Sequence, residues 1–461
     1  MVIRVSVVGL AAVVLLMGAA ASQGFAAESN GAVTFNKDVL PILQKNCQAC
    51  HRPGQIGPMS LLSYKEARPW AKAIKEAVRT KKMPPWYADP QYGHFNNDRS
   101  LKPTEIETLT AWVDSGGLEG DAKDAPPPIQ WPADGWQIQP DVVVEAPAYA
   151  VPARGVKEWE QLAIPSPFKE DTWITSVEVL PGQPSVVHHY CFNFEMHKPT
   201  TEYNVYEWME VPRDEETGVA KNPSRGVDTK EGYVLRRKVG STEEMRFQGR
   251  QTIRGGSEFC YLPGLPYEDY RPVNAGIFVP KGSDIILSMH YTPNGVATTD
   301  RTRIGFTVTK EPPSKRFVRQ DGEDGKTPPV LRKHDIDKLA IPPYASDYVA
   351  PVAEITFLQD LELVWFRPHA HVRAKSVEYK LVYPDGREEV VLNVPHYDFN
   401  WQLTYRTSLK VPKGSKMYVE FRYDNSPNNK YNPDPSKWIY YGDQSWEEMG
   451  TPNMGFLVDR D

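Results

Sequence analysis

A small all-α domain followed by two antiparallel β-sandwiches is the architecture this sequence predicts, and three features predict it. Apolar residues recur at helical spacing up to about residue 122. From Trp131 onward hydrophobic and polar residues alternate with a period of two. Between the two regimes lies Asp121–Pro128 (DAKDAPPP), polar and then proline-stiffened, as linkers are.

Residues 32–122 carry the helical reading. The amphipathic segment Phe35–Asn46 leads straight into Cys47, and Ala67–Thr80 reads as the next helix. Pro103 and Thr104 open a third, in which Ile106, Leu109, Trp112 and Val113 share a face before Gly116-Gly117 ends it. With residues 123–130 as the linker, a first sandwich is expected over 131–344 and a second over 345–461. The proline-containing stretch Glu311–Pro343 separates them. The strand signals are Trp173–Leu180 closed by Pro181-Gly182, then Ile285–Tyr291, Ile355–Phe366, Glu378–Tyr383 and Lys416–Tyr423.

Arg4, the apolar run Val5–Ala21 and the small residues after it have the layout of a secretory signal over residues 1–27, cleaved between Ala21 and Ala27. No other stretch approaches the roughly 20 apolar residues of a membrane helix. The mature chain is therefore expected to be soluble, periplasmic or secreted, with no transmembrane anchor. A formal net charge of −6 argues against nucleic acid as a partner, and 40% hydrophobic residues argue against disorder.

Cys47-Gln48-Ala49-Cys50-His51 is a CxxCH sequence, in which two thioethers hold a haem c and the histidine becomes the proximal iron ligand. With 4 cysteines and 10 histidines in 461 residues, chance would supply such a run about once in a thousand chains of this composition. The helical domain is accordingly expected to be a cytochrome c domain with one covalent haem. The opposite axial ligand must come from later in the domain. Met83, in Lys82-Met83-Pro84-Pro85-Trp86, is the first choice because prolines stiffen its loop, and the segment resembles the MPPW loop of small bacterial cytochromes. Met59 and His94 follow in that order.

Five of the remaining histidines fall on or beside predicted strands: His188-His189, His290 and His369-Ala370-His371. Residues two apart in a strand share a face, so His369 and His371 can grip one ion. His188 and His189 are adjacent and alternate faces in a regular strand, so a shared ion requires a bend or strand end there. Imidazole-rich sites suit copper or zinc, and an added thioether favours copper.

Val187-His188-His189, Met289-His290-Tyr291, Arg367-Pro368-His369-Ala370-His371 and Trp446-Glu447-Glu448-Met449 occur in an order that resembles the ascorbate-dependent type 2 copper monooxygenases. That family includes peptidylglycine α-hydroxylating monooxygenase and dopamine β-monooxygenase. The resemblance covers roughly residues 131–461, and the whole looks close to bacterial proteins in which this module follows a CxxCH domain.

The resemblance implies jelly-roll-like sandwiches and two copper ions. His188, His189 and His290 would hold an electron-transferring ion, and His369, His371 and Met449 an oxygen-binding ion at which catalysis occurs. Met454 is a competing thioether. Arg367 stands where peptide-acting relatives grip a substrate carboxylate, but Thr451 and Asn453 replace their asparagine and tyrosine, which puts peptide specificity in doubt.

The expected function is hydroxylation of a C–H bond in an organic substrate by O2, with electrons reaching the copper module through the fused haem from an external donor. The alternatives are a haem–copper electron carrier without hydroxylase activity and a binding protein whose histidines are structural. Cys191 and Cys260 remain after haem attachment. In an oxidising compartment one disulfide is the simplest reading, while a free Cys191 thiolate near copper is the other.

Overall fold

Lys416–Tyr423 (KMYVEFRY) alternates half-buried and buried residues along its whole length, as a strand with one face on a core does. The same logic builds most of the chain. The computed structural model describes residues 31–460 apart from 156, 158–159, 200, 211–232, 239–243, 249–258, 265–266, 320–328 and 443, and gives backbone alone for 207–210, 233–238, 244–248 and 337. The expected signal segment, residues 1–27, lies outside the described residues.

The strands that position the site are β1 (Val142–Glu145), β2 (Glu160–Pro165), β3 (Thr172–Leu180), β4 (Val187–Met196), β5 (Phe259–Tyr261), β6 (Ala275–Val279), β7 (Ser283–Tyr291) and β8 (Arg303–Thr309). They are followed by β9 (Lys315–Arg319), β10 (Ala353–Phe357), β11 (Leu361–Ala370), β12 (Ala374–Val382), β13 (Tyr405–Val411), β14 (Lys416–Tyr423) and β15 (Gly450–Asp459). A first sheet runs β1-β8-β3-β6-β9-β15-β11-β13. A second contains β2-β7-β4-β5, and a third contains β10-β14-β12.

The first sheet backs both sandwiches. Ile174, Val177 and Phe306 from one half of it pack with Leu162, Phe192 and Leu287 of the second sheet. Val318, Phe366 and Phe456 from its other half pack with Ile355, Val377 and Phe421 of the third. The halves join where β6 pairs β9 in parallel and β9 pairs β15 antiparallel. β9 thus lies inside the Glu311–Pro343 stretch that reads as a separator in the sequence.

The expected fold class needs correction. Strands dominate, and the α-helices are short: α1 (Leu40–Asn46), α2 (Tyr64–Ala67), α3 (Ala71–Arg79) and α4 (Pro103–Asp114). They bury Phe35, Leu43, Leu109 and Trp112 in a small cluster of their own, but no separate small all-α cytochrome domain is formed. Nor are the sandwiches wholly antiparallel or separately sheeted. The physical reason is in the loops. Residues 80–102, broken by Pro84, Pro85 and Pro90, leave the helices and seat on the third-sheet sandwich. There Trp86 packs against Tyr405, ring centroids 5.0 Å apart, and Asp89 N–H donates to the Asn393 carbonyl at 2.8 Å. Helical periodicity registers the helices and is blind to where the loops between them pack.

Among the described residues no helix is long and apolar enough to cross a membrane. Cys191 and Cys260 form a disulfide that joins β4 to β5 at paired positions, which sets aside a free Cys191 thiolate.

Candidate metal centre

His189 on β4 faces His290 on β7 directly across the ladder, and the next registered pair is Val187 with Tyr291. His188 is therefore the extra residue of a β-bulge, and the bulge supplies the bend that two adjacent histidines need to meet one ion. The three rings form a near-equilateral set, with centroids 5.0, 5.1 and 5.2 Å apart. Their ligand atoms all lie within 4.8 Å of one another. Imidazoles bound through nitrogen at about 2.0 Å to one tetrahedral ion place their centroids about 5 Å apart, which is the spacing found. His188 Nδ1 and His189 Nδ1 are 2.9 Å apart.

The second set comes from the end of β11. His369 and His371 share a face, as the spacing predicts, with centroids 5.3 Å apart. Hydrogen bonds fix how each ring is presented. His369 Nδ1 contacts Gln402 Oε1 at 2.6 Å, and His371 Nδ1 contacts the Glu447 carbonyl at 3.2 Å. Both partner atoms are acceptors, so each ring carries its proton on Nδ1 and offers Nε2 to an ion. Glu448, fully buried, accepts from the His371 N–H at 2.9 Å and the Arg373 N–H at 2.6 Å, and burial raises its carboxyl to about 8.

Met449 stands immediately before β15. Thr451, which faces His369 across the β11–β15 ladder, has its hydroxyl 3.9 Å from the Met449 sulfur, and Tyr423 OH donates to the Met449 carbonyl at 2.9 Å. Met454 instead faces Phe366 in the ladder, fully enclosed in the sandwich core.

The two sets are contiguous. The His189 and His369 rings meet edge-on with centroids 6.4 Å apart. Phe399 abuts both sets, 4.9 Å from His188, 6.2 Å from His290 and 6.0 Å from His371. Burial, then the neighbouring His290 and His369, push His188 down to about 3; burial and then His369 push His290 down to about 4. Burial first, and the neighbouring rings after it, hold His189 and His371 well below the usual histidine range. At neutral pH these four rings are therefore uncharged, the state in which a metal binds them.

Arg367 does not open into this space. Its guanidinium is buried, donating to Glu268 Oε1 at 2.9 Å and Thr404 Oγ1 at 2.8 Å, and it stacks over Trp365. Arg367 is thus held in an ion pair with Glu268 across the two halves of the chain.

Cys47 and Cys50 are unbonded, and His51 follows them with Nδ1 3.3 Å from the Met59 carbonyl. That contact engages Nδ1 and leaves Nε2 as the ring's remaining ligand atom. Burial first and then Cys50 push the Cys47 thiol up to about 12. A Cβ on Gly57 would stand 2.7 Å from both the Cys50 carbonyl and His51 Nδ1, so only glycine lets this loop close on the imidazole. Met83 is half-buried on the loop after α3, and His94 is exposed. Arg99 donates to the Gly264 carbonyl at 3.0 Å, and Tyr261 is raised above its ordinary range by burial and then by the adjacent Cys50.

Sequence reasoning missed Gln402, Phe399 and the carboxylate role of Glu448. Glu448 sits in the motif that drew attention to Met449. The run Phe399-Asn400-Trp401-Gln402 carries no metal-site pattern.

No protein-family model matches the chain, and no curated protein matches it. Among solved structures it is similar to PNGF-II, with 10% identity, a TM-score of 0.21, and coverage of 65% of this chain and 59% of that one. A Paenibacillus xanthan lyase matches with 11% identity, a TM-score of 0.17 and coverage of 75% and 28%. Infectious bursal disease virus Gx strain matches with 8% identity, a TM-score of 0.15 and coverage of 70% and 72%. The chain thus spans less than two thirds of the first two structures, and likenesses of this strength carry no argument about its fold or function.

Proposed function

We propose that this chain is a copper-dependent monooxygenase that holds two copper ions and one covalent haem c, hydroxylating a C–H bond of an organic substrate with O2 outside the cytoplasm. The observation that carries the reading is the convergence of five histidines, three buried and two half-buried, in two sets, each with its rings 5.0–5.3 Å apart. In this reading His188, His189 and His290 hold one ion. His369, His371 and Met449 hold the other, where a thioether favours copper over zinc. Copper supplies the one-electron chemistry with O2 that a protein side chain lacks.

The protein's own part is positional. Gln402 and the Glu447 carbonyl fix the tautomers of His369 and His371, Glu448 ties down the backbone between His371 and Arg373, and Phe399 keeps the rings dry. Cys47 and Cys50 would form the haem thioethers, and His51 Nε2 would bind iron. Met83, half-buried on the loop after α3, would supply a thioether ligand, and the Met59 carbonyl is already engaged with His51 Nδ1. An external donor reduces this haem. The onward route is supported by Arg99, which donates to the carbonyl of Gly264 just beyond β5, whose neighbour β4 carries His188 and His189.

The test uses the full-length chain loaded with copper. Haem should stay attached on a denaturing gel, and pre-reduced haem should reoxidise on addition of O2 and an organic substrate, with one O2 consumed per hydroxylated product. His290→Ala should block the reoxidation. Reoxidation with no O2 taken up into any product would leave the electron-carrier reading standing instead.

A further inference from the structure

A small cleft opens where three parts of the chain meet: the loop of residues 80–102, the turn after β5 and the approach to β13. Trp86, Arg99, Leu262, Pro263, Leu403 and Thr404 line it. Hydrogen bonds fix its walls. Asn97 Nδ2 donates to the Thr404 carbonyl at 2.8 Å, and Asn97 Oδ1 accepts from the Arg406 N–H at 2.8 Å. The Asn96 N–H donates to the Arg406 carbonyl at 2.8 Å, and Trp86 rests on Tyr405 with ring centroids 5.0 Å apart.

Arg99 is the group this arrangement leaves short. Of its five N–H groups one donates to the Gly264 carbonyl at 3.0 Å, and among the described residues no carboxylate pairs with it. The acids near it or near that turn in the sequence are committed elsewhere. Asp98 accepts from the Ser100 N–H, Glu268 pairs with Arg367, and Asp269 pairs with Arg271. Burial lowers the Arg99 guanidinium from its ordinary range, as it does for a cation short of an anion. Gly264 has φ +86°, and a Cβ there would collide with Arg99 Nη1, so glycine is what lets the guanidinium lie against this turn. Thr404 Oγ1 accepts from Arg367 Nε at 2.8 Å, which leaves the hydroxyl hydrogen to donate.

We propose that this cleft binds a carboxylate group, with the Arg99 guanidinium as its cation and the Thr404 hydroxyl as a second donor. A planar guanidinium meets a carboxylate through two parallel N–H···O bonds, and fixed walls keep the fork in place for it. The inference is independent of the copper reading. Two sources would supply the group: a small free acid, or a propionate of a haem attached at Cys47 and Cys50. The second source rests on the haem reading. Its support is the field at Cys50, where burial raises the thiol and Arg99 is first among the charges opposing that rise.

The experiment titrates the full-length chain, as isolated, with acetate and with acetamide, its uncharged isostere, by calorimetry at constant ionic strength. With a free acid as occupant, one acetate binds per chain, acetamide binds at least about 10-fold more weakly, and Arg99→Gln weakens acetate at least about 10-fold. With a haem carboxylate as occupant, acetate does not bind, and Arg99→Gln shifts the propionate bending band in the resonance Raman spectrum. Arg99→Lys keeps the charge and loses the fork. It should give an intermediate value in whichever readout responds, and it serves in place of an Arg99→Gln chain that fails to fold. Equal binding of acetate and acetamide would overturn the inference, as would acetate affinity unchanged in Arg99→Gln, or no acetate binding together with an unmoved Raman band. A chain that carries no haem yet binds acetate through Arg99 would overturn the haem reading and uphold this inference.

Discussion

The two histidine sets reach the same ring spacing by different means. In the first, His189 and His290 face each other across neighbouring strands and a bulge brings in His188, so the geometry is written into a backbone ladder. A disulfide to β5 staples the strand that carries two of the three rings. In the second, two residues of one strand share a face, and Met449, the proposed third ligand, stands on a separate segment whose Glu447 and Glu448 hydrogen-bond to His371, while Gln402 holds His369. The first set is robust to loss of any one side-chain contact outside it. The second depends on single contacts.

The largest expected effect therefore belongs to the second set. Met449→Ile should lower turnover by at least about 100-fold while copper stays in the three-histidine set, read from O2 uptake and copper content on the same sample. Met454→Ile, a core substitution, should cost stability and leave turnover near normal. The reverse pattern would transfer the ligand role to Met454.

Gln402→Leu should weaken copper binding by the second set about 10- to 100-fold and leave the first set's affinity unchanged in competition titrations, the range usual for a hydrogen-bond partner of a ligand histidine. Equal weakening of both sets would erase the contrast between them.

Smaller in its effect on the site is the staple. Replacing Cys191 and Cys260 by serine should lower unfolding free energy by about 2–4 kcal/mol in denaturant titration, since the pair closes a loop with a sequence separation of 69. Copper spacing in the first set should survive, because the ladder persists.

The smallest effect lies in β3, on the sheet behind the first set. Burial raises the Glu178 carboxyl from 4.5 to about 7, although it accepts from the Gln137 and Ile138 N–H groups. A carboxyl raised on folding favours the protonated native state. Its contribution is complete below pH 4.5 and is lost as pH rises through about 7. Glu178→Gln should remove a fall of on the order of 1–2 kcal/mol over that window, measured by urea unfolding at several pH values. An unaltered pH profile in the variant would rule this group out as the source.

What could be read in advance follows the same divide. Local period carried the strands: Lys416–Tyr423 and the end of Trp173–Leu180 appear in the structure where alternation puts them. The shared face of His369 and His371 follows from period two as well. Adjacency requires a bend or strand end at His188, and the bulge there supplies the bend. Long-range seating was not legible. Trp86 and Phe95 read as loop residues of a helical domain, yet they pack on Tyr405 over 300 positions away in the chain. Arg367 reads as a candidate grip for a substrate carboxylate, and its ion-pair partner Glu268 lies in another strand with no local mark. Gln402 is invisible for the same reason, since a single amide acquires its role only when folding brings it to His369.

Copper content tests the central claim most directly. Full-length chain reconstituted with excess copper and desalted should hold two coppers per chain, falling to one in His290→Ala and to one in His371→Ala. A ratio that stays at one in the unsubstituted chain, or that neither substitution lowers, would contradict the assignment of two ions to these five histidines.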